Sequence, residues 1–150
     1  MKYTLQQLSD RLEIEDLVAE YADAIDSQQF DRLDQVFTED AWIDYSAMGG
    51  AVGHYPEVKA FLQQTLPVFS ATQHMIANYL IRLDGDRASG RIMCFNPMQL
   101  SAAEGQPALP VFFVGLWYID DYRRTGDGWR ICRRVEQKSY SFNAPDFIGL

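Results

Sequence analysis

The chain has 150 residues, 47% of them hydrophobic, and a chain of this length and composition can bury most of its apolar surface in one core. We therefore expect a single domain over residues 1–150. The formal net charge of -8 argues against nucleic acid and against anionic membrane as partners, because both would repel the average surface, and it favours a small neutral or weakly polar ligand.

Helical and strand-like segments alternate in the first half of the chain. Apolar residues recur at helical spacing from Leu5 to Ser27 and again, briefly, from Phe30 to Phe37. Ala41 to Tyr45 has the composition of a short strand, and a glycine-rich turn follows it. A third helix starts at Tyr55 and ends before Pro67. We thus expect three helices ahead of most of the sheet.

The first helix carries one acidic residue that departs from its acidic face. Thr4 and Gln7 fit a capping box at its start. At about 100° per residue, four acids fall within an arc of about 60°: Glu13, Asp16, Glu20 and Asp23. Asp26 lies about 120° from the centre of that arc, on the apolar side. A carboxylate in this position needs a partner inside the protein.

The second half of the chain is typical of an antiparallel sheet. Its strand-like runs form two pairs, each flanking a tight glycine turn: 72–83 with 87–98, and 111–124 with 129–142. Between the pairs, Gln99 to Leu109 is rich in Ser, Ala, Gly and Pro and is predicted to be an exposed loop that could act as a lid. Helices followed by a curved antiparallel sheet predict an α+β domain with an open-ended apolar pocket.

His74 is one of only two histidines and stands at the start of a strand-like run. An imidazole can accept a proton near neutral pH, and an adjacent carboxylate fixes its tautomer and stabilises the imidazolium. Asp26 could be that carboxylate. The alternatives are a hydrogen-bonded core histidine at position 74 and an aspartate that only caps the helix end.

Two tyrosines could donate hydrogen bonds to a substrate oxygen on which charge develops. Tyr21 lies on the first helix and Tyr45 ends the first strand. Each is about equally well explained as a core residue whose hydroxyl is bonded to backbone. We treat both as candidate catalytic residues.

Four further residues are candidates for substrate binding. Asn78 shares the even positions of its strand with His74, and Lys138 shares a face with Glu136 on the last strand. A structural amide and a solvated lysine at the pocket rim are the alternatives. Of the aromatic side chains, most of which should be core or subunit interface, we expect Trp42 and Phe113 to line the pocket.

The sequence gives no reason to expect a metal or a cofactor. The second histidine, His54, precedes the third helix and is predicted to be exposed, and no cysteine cluster accompanies either histidine. Cys94 and Cys132 lack Cys-x-x-Cys spacing and are expected to be reduced core residues, although one disulfide is possible. No nucleotide-binding or nucleophile-elbow motif is present.

The N-terminal residues lack an apolar signal core, and no segment has the length and apolarity of a membrane span. With two cysteines that read as reduced thiols, this composition is typical of a cytoplasmic protein. We therefore expect a soluble, unprocessed, cytoplasmic chain.

Several short motifs occur together in one order along the chain: Tyr21-x4-Asp26, Phe30-Asp-Arg-Leu33, Ile43-Asp-Tyr45, Thr72-Gln-His74 and Tyr122-Arg-Arg-x-Gly-Asp-Gly-Trp129. In order and spacing they resemble the SnoaL-like (polyketide-cyclase-like) branch of the nuclear transport factor 2-like superfamily. Within that branch the chain looks closest to scytalone dehydratase, the bile-acid dehydratases and hexachlorocyclohexane dehydrochlorinase. The resemblance implies a cone-shaped α+β barrel, with three N-terminal helices packed in a strongly curved mixed or antiparallel sheet.

The same resemblance implies a chemistry. In that group an aspartate at the end of the first helix orients a histidine on the sheet, which acts as base in an elimination, and these roles would fall to Asp26 and His74. Tyr45 matches a tyrosine of the scytalone dehydratase motif. The implied function is a cofactor-independent lyase of dehydratase type, or an isomerase, acting on a small apolar oxygenated molecule.

Two further implications concern partners. Relatives suggest a homo-oligomer, either a trimer or a dimer. Because the fold also hosts proteins without catalytic activity, the alternative function is a small-molecule-binding module or the beta subunit of an aromatic-ring-hydroxylating dioxygenase.

Overall fold

A computed structural model describes residues 2–146 of the chain. Two α-helices and seven β-strands follow in order: α1 (Leu5–Asp26), β1 (Phe37–Asp44), β2 (Val52–His54), α2 (Tyr55–Thr65), β3 (Phe69–Thr72), β4 (Met75–Asp84), β5 (Arg87–Leu100), β6 (Phe112–Thr125) and β7 (Gly128–Phe142). Short 3₁₀ turns at Phe30–Gln35, Ser46–Met48 and Leu66–Val68 connect some of them. The capping box of Thr4 and Gln7 begins α1 as predicted.

The seven strands form one mixed sheet in the order β2-β1-β7-β6-β5-β3, and β4 also pairs with β5. Only the β1–β7 pair is parallel among the described strands, and the long pairs β5–β6 and β6–β7 are antiparallel. The concave face of this sheet holds α1, whose buried residues include Ile14, Val18 and Ile25. The α+β cone with a curved mixed sheet is therefore confirmed.

Two element boundaries differ from those predicted. The segment read as a short second helix is a six-residue 3₁₀ turn, Phe30–Gln35, and Phe37 already pairs with Ile131 at the start of β1. Six residues form too few hydrogen bonds to offset the unfavourable nucleation of an α-helix, so the segment forms a 3₁₀ turn and the residues after it pair in the sheet. The strand predicted to start at Thr72 is instead divided, because β3 ends there and β4 begins at Met75.

One ion pair lies entirely inside the core. The Arg134 guanidinium donates hydrogen bonds of 2.8 and 2.6 Å to the two carboxylate oxygens of Asp120, and neither side chain is exposed. Tyr122 donates a further hydrogen bond of 2.9 Å to Asp120. The guanidinium also lies 4.1 Å from the ring centroid of Tyr21 and 4.0 Å from that of Tyr118, so cation–π contacts replace water around the charge.

Both cysteine thiols are free, as expected, with Cys94 buried and Cys132 partly buried. Within residues 2–146, no helix combines the length and the apolarity that crossing a membrane requires.

We predict that Asp120→Asn lowers the free energy of unfolding by about 3 kcal/mol, because it leaves a buried guanidinium without its counter-charge. The matched control is Asp121→Asn, one residue along β6. Asp121 faces Arg133 at 3.6 Å with both side chains about half exposed, so its loss should change stability by less than about 1 kcal/mol. Urea denaturation of the two variants measures the difference, and equal losses would contradict the role of the buried pair.

Candidate active site

A cavity of about 330 Å³ opens between the end of α1, α2 and the inner face of the sheet. Its apolar wall comes from the helices and the turn after α2, with Ile25, Phe61, Leu62 and Leu66, and from strands β3 and β5, with Phe69 and Leu100. Its polar groups come from α1, from the ends of β1 and β3 and the connection to β4, and from the middle of β5 and β7: Tyr21, Tyr45, Thr72, His74, Asn96 and Glu136. Such an apolar pocket with a few convergent polar groups is typical of a small-molecule site.

Asp26 and His74 meet at this cavity. The His74 Nδ1 atom lies 2.6 Å from Asp26 Oδ1, and the two side chains are 10% and 23% exposed for His74 and Asp26. Asp26 is the last residue of α1, where the helix ends beside the sheet, and His74 lies in the two-residue connection between β3 and β4. The contact joins residues 48 positions apart in the sequence.

The Asp26 carboxylate accepts two hydrogen bonds beyond that to the imidazole. The backbone N–H of His74 donates to Oδ2 at 2.7 Å, and the Thr72 hydroxyl donates to Oδ1 at 2.8 Å. Burial acts to raise the pKa of Asp26, but the hydrogen bonds from His74 and Thr72 outweigh it and hold that pKa below its usual value. Asp26 is therefore ionised at neutral pH.

The ionised carboxylate fixes the tautomer of His74. Because Asp26 can only accept, Nδ1 carries the ring proton and the lone pair of a neutral ring lies on Nε2. The Asn96 Nδ2 atom lies 3.0 Å from Nε2 and donates to it. The Asn96 Oδ1 atom is buried and, within residues 2–146, has no hydrogen-bond partner. A rotation of this amide would offer Oδ1 to an imidazolium N–H, so Asn96 can serve both protonation states of the ring.

Asn96 was not predicted, and a bulge explains why. From the Asp84–Arg87 pair to the Leu80–Arg91 pair, the β4–β5 ladder keeps one register. If that register continued, His74 would lie opposite Pro97. The register shifts between Ala77 and Leu80, so that Met75 pairs with Phe95. The same shifted register places Asn96 opposite His74.

Tyr21 and Tyr45 form a buried pair on the cavity wall. Their hydroxyl oxygens are 2.9 Å apart, and the Tyr21 ring lies 6.4 Å from the His74 ring, edge to face. Burial raises the pKa of Tyr21 to about 12 and that of Tyr45 well above its usual value. Both phenols are therefore protonated, and one hydroxyl hydrogen of the pair remains to be donated to a ligand.

Glu136 is a second acidic group in the cavity and was noted in the sequence only as a neighbour of Lys138. Burial raises its pKa to about 8; the positive charge of Arg134 opposes this shift, and the negative charges of Asp120 and Asp44 add to it. No group within residues 2–146 donates a hydrogen bond to this carboxyl. A periodicity of two along β7 from the buried Arg134 would have placed it on the inner face.

Asn78 and Lys138 do not line the cavity, and for Asn78 the physical reason is again an irregular strand. Asn78 lies in the bulge of β4 with a φ of 48°, is exposed, and donates to Met93 Sδ. The inward positions of β4 therefore change from even to odd after Ile76. Lys138 pairs with Leu116 in the same register that pairs Glu136 with Tyr118, so it keeps the face of Glu136, but it is exposed and does not line the cavity. The expectation that Asn78 shares the face of the site is wrong, and for Lys138 the alternative of a solvated lysine fits.

Trp42 and Phe113 are also absent from the cavity wall. Trp42 is 43% exposed and contacts His54 edge to face, on the opposite face of β1 from the buried Ile43. Phe113 stacks on Phe95 at 5.6 Å between ring centroids. Both lie on the outer face of the sheet, because side chains alternate along a strand and their neighbours occupy the inner face.

In the part of the chain that the structure describes, no group of three or more His, Cys, Asp or Glu side chains converges on one point.

We predict that His74 is protonated on Nδ1 in the neutral form and that Asp26→Ala shifts it towards the Nε2–H form, because the acceptor at Nδ1 is lost. Two-bond ¹⁵N–¹H correlation spectra of the imidazole measure the tautomer. The exposed His54, whose ring contacts the Asp40 carbonyl oxygen, is the internal reference and should not change. Protonation of wild-type His74 on Nε2 alone would contradict the geometry.

We predict that the stability of the wild type relative to Glu136→Gln falls between about pH 5 and about pH 9. The folded-state pKa of Glu136 is raised from 4.5 to about 8. The stability that the retained proton contributes is thus full below the unfolded pKa and is lost as pH rises through the folded one. A tenfold change in an ionisation constant is about 1.4 kcal/mol, so the relative loss is a few kcal/mol. Chemical denaturation across pH measures it, and a difference independent of pH would contradict the prediction.

Comparisons with known proteins agree with this fold. The SnoaL-like domain family matches residues 6–135 of the chain. An uncharacterised protein of Mycobacterium tuberculosis is 51% identical over 137 residues, which are 91% of this chain and 90% of that protein. A crystal structure of a protein from Kribbella flavida has a TM-score of 0.80 and 30% identity, covering 90% of this chain and 94% of that one.

Two further structures are similar in fold. A candidate scytalone dehydratase from Novosphingobium aromaticivorans has a TM-score of 0.76 at 17% identity, with 92% of this chain and 89% of that chain covered. A hexachlorocyclohexane dehydrochlorinase from Novosphingobium barchaimii has a TM-score of 0.76 at 20% identity, with 91% of each chain covered. At these identities the likeness establishes the fold. The resemblance read from the motifs is confirmed, and the chain belongs to the SnoaL-like domain family.

Proposed function

We propose that the protein is a cofactor-independent lyase of dehydratase type, or an isomerase, that removes a carbon-bound proton from a small apolar oxygenated molecule. The single observation that supports this most is the Asp26–His74 contact of 2.6 Å at the wall of an apolar cavity. A histidine held in this way is a general base in position to act on a ligand.

In the proposed reaction His74 Nε2 takes the proton. A ligand that enters the cavity displaces the Asn96 amide from Nε2, and the amide can then accept a hydrogen bond from the imidazolium through Oδ1. Asp26 stabilises the positive charge that develops on the ring. The free hydroxyl hydrogen of the Tyr21–Tyr45 pair is donated to the substrate oxygen that gains negative charge, as in an oxyanion hole.

The cavity limits the class of substrate. Its volume of about 330 Å³ accommodates a molecule of one or two rings, and most of its wall is apolar. Polyketide, terpenoid, steroid-fragment or aromatic intermediates with a carbonyl or hydroxyl group fit this description. The names of the dehydratase and dehydrochlorinase neighbours denote losses of water and of hydrogen chloride, which supports an elimination.

A binding module or the beta subunit of a ring-hydroxylating dioxygenase is the alternative proposal. A subunit that only supports a larger partner has no need for an ionised aspartate and a tautomerically fixed histidine facing an apolar cavity, so the site favours the enzyme. Stable copurification with a Rieske-type large subunit, together with no turnover by the isolated chain, would favour the alternative.

We propose that the chain forms a homo-oligomer through the outer face of its sheet. Large apolar side chains are exposed there, with Phe142 66% and Tyr140 51% accessible on β7, and Phe113 contacts Phe142 beside them. Exposed apolar patches of this kind are typical of interfaces between protein chains. Sedimentation equilibrium would distinguish a trimer, a dimer and a monomer.

We predict that His74→Gln lowers the rate of proton removal by about a hundredfold to ten-thousandfold, the usual contribution of a general base. Deuterium uptake by the α-carbons of benzylacetone in D₂O, followed by NMR, measures proton removal without knowledge of the physiological substrate. The matched control is His54→Gln, since His54 is exposed and contacts backbone outside the cavity, and it should retain the wild-type rate. An unchanged rate in His74→Gln would contradict the proposal.

A further inference from the structure

Glu136 occupies the wall of the cavity that holds the proposed base. It lies on β7 and lines the cavity together with His74 and Tyr45. The parallel pairing of Asp44 with Val135 brings the end of β1 alongside this part of β7, so Glu136 and Tyr45 are neighbours across the ladder. A carboxyl group thus lies next to the phenol pair and within the same small cavity as the imidazole.

The surrounding charges leave this carboxyl without a counter-ion. The nearest buried cation is Arg134, two residues earlier on β7, and Asp120 already accepts hydrogen bonds from its Nε and Nη2 atoms. Arg134 makes no ion pair with Glu136 within 4.0 Å, and within residues 2–146 no other cation does. One guanidinium therefore faces two acids, and only Asp120 is paired.

Glu136 interacts electrostatically with titratable groups on every element around it. These groups are Arg134 on β7, Asp120 and Tyr118 on β6, Asp44 and Tyr45 at the end of β1, Tyr21 on α1 and Cys94 on β5. All but Arg134 are acids or groups that ionise to anions. A second negative charge in this environment is unfavourable, so the carboxyl retains its proton at neutral pH.

We propose that Glu136 is the acid that protonates the leaving oxygen, so that the site expels water from a hydroxylated substrate. This inference rests on the proposed function, and it narrows that function from a general proton abstraction to the dehydration of a compound with a hydroxyl group β to a carbonyl. Hydroxide is a poor leaving group and needs a proton donor, whereas a chloride or a carboxylate ester does not.

The step balances without any further reactant. His74 Nε2 takes the proton from the carbon next to the carbonyl, and the electron pair of that C–H bond forms the carbon–carbon double bond. The C–O bond breaks, and its oxygen takes the proton of Glu136 and leaves as water. The imidazolium of His74 then returns one proton to the Glu136 carboxylate through solvent, which restores the site.

The other polar groups of the cavity are poorer donors for this step. Burial raises the pKa of Tyr21 to about 12 and keeps that of Tyr45 well above its usual value, so a full proton transfer from either phenol is unfavourable. The pKa of Glu136, raised to about 8, is close to neutral pH, where a general acid works best. In the proposed reaction the Tyr21–Tyr45 pair donates a hydrogen bond to the carbonyl oxygen, and the Glu136 carboxyl protonates the hydroxyl.

The experiment compares two leaving groups in wild type and in Glu136→Gln. The probes are the aldol adduct of benzaldehyde with acetone and the O-acetyl ester of that adduct. Both eliminate to benzylideneacetone, whose ultraviolet absorbance gives the rate. We expect Glu136→Gln to lower the rate with the hydroxyl compound by about a hundredfold or more and to leave the rate with the ester within about threefold.

The control variant is Glu39→Gln. Glu39 is an exposed glutamate on β1 that does not line the cavity, so this variant should leave both rates unchanged. The pH profile is a second measurement. With the hydroxyl compound the wild-type kcat/KM should fall above about pH 8 as the acid is deprotonated, and this alkaline fall should be absent in Glu136→Gln.

Several results would overturn the inference. Equal losses with both probes in Glu136→Gln would assign the residue to the carbonyl or to folding, and no loss with either would remove it from the reaction. Wild type that exchanges benzylacetone but eliminates neither probe would contradict the leaving-group role alone. Wild type that neither exchanges nor eliminates would overturn the proposed function, and the inference with it.

Discussion

The carboxylate of Asp26 is the point at which the helical layer and the sheet are joined. It accepts hydrogen bonds from the Thr72 hydroxyl and from both the backbone and the ring of His74, so one side chain at the end of α1 fixes the connection between β3 and β4. An acid removed from water is stable only when such donors surround it. The same three bonds determine which nitrogen of His74 is left facing the cavity.

The acidic groups on the two sides of the cavity differ in their hydrogen-bond partners and in their ionisation. On the helix side, Asp26 is ionised because donors surround it, and it holds the ring proton of neutral His74 on Nδ1. On the sheet side, Arg134 is already paired with Asp120, so Glu136 is left as a partly buried acid without an ion-pair partner within residues 2–146. The carboxyl group that holds His74 and the carboxyl group in the cavity wall thus have pKa values shifted in opposite directions, an arrangement suited to acid–base chemistry at neutral pH.

Part of the site could be predicted because its residues stand at ends of regular elements. The departure of Asp26 from the acidic face of α1 follows from helical geometry alone, and the motifs around Tyr21, Tyr45 and His74 identify a family in which such residues meet. Asn78 was misplaced because period-two reasoning assumes an unbroken strand, and the bulge in β4 moves the side chains beyond it to the other face. Lys138 keeps the face of Glu136 but is exposed outside the cavity.

The sequence by itself determined the α+β class, the two long hairpins, the helix carrying Asp26 and the candidate base, because these depend on local periodicity, turn residues and motif order. Only the tertiary structure decided that Asn96 contacts His74 and that Glu136 is unpaired. The first depends on a register shift within β4, and the second on which of two acids the buried Arg134 bonds. Both are outcomes of long-range packing, which no local pattern encodes.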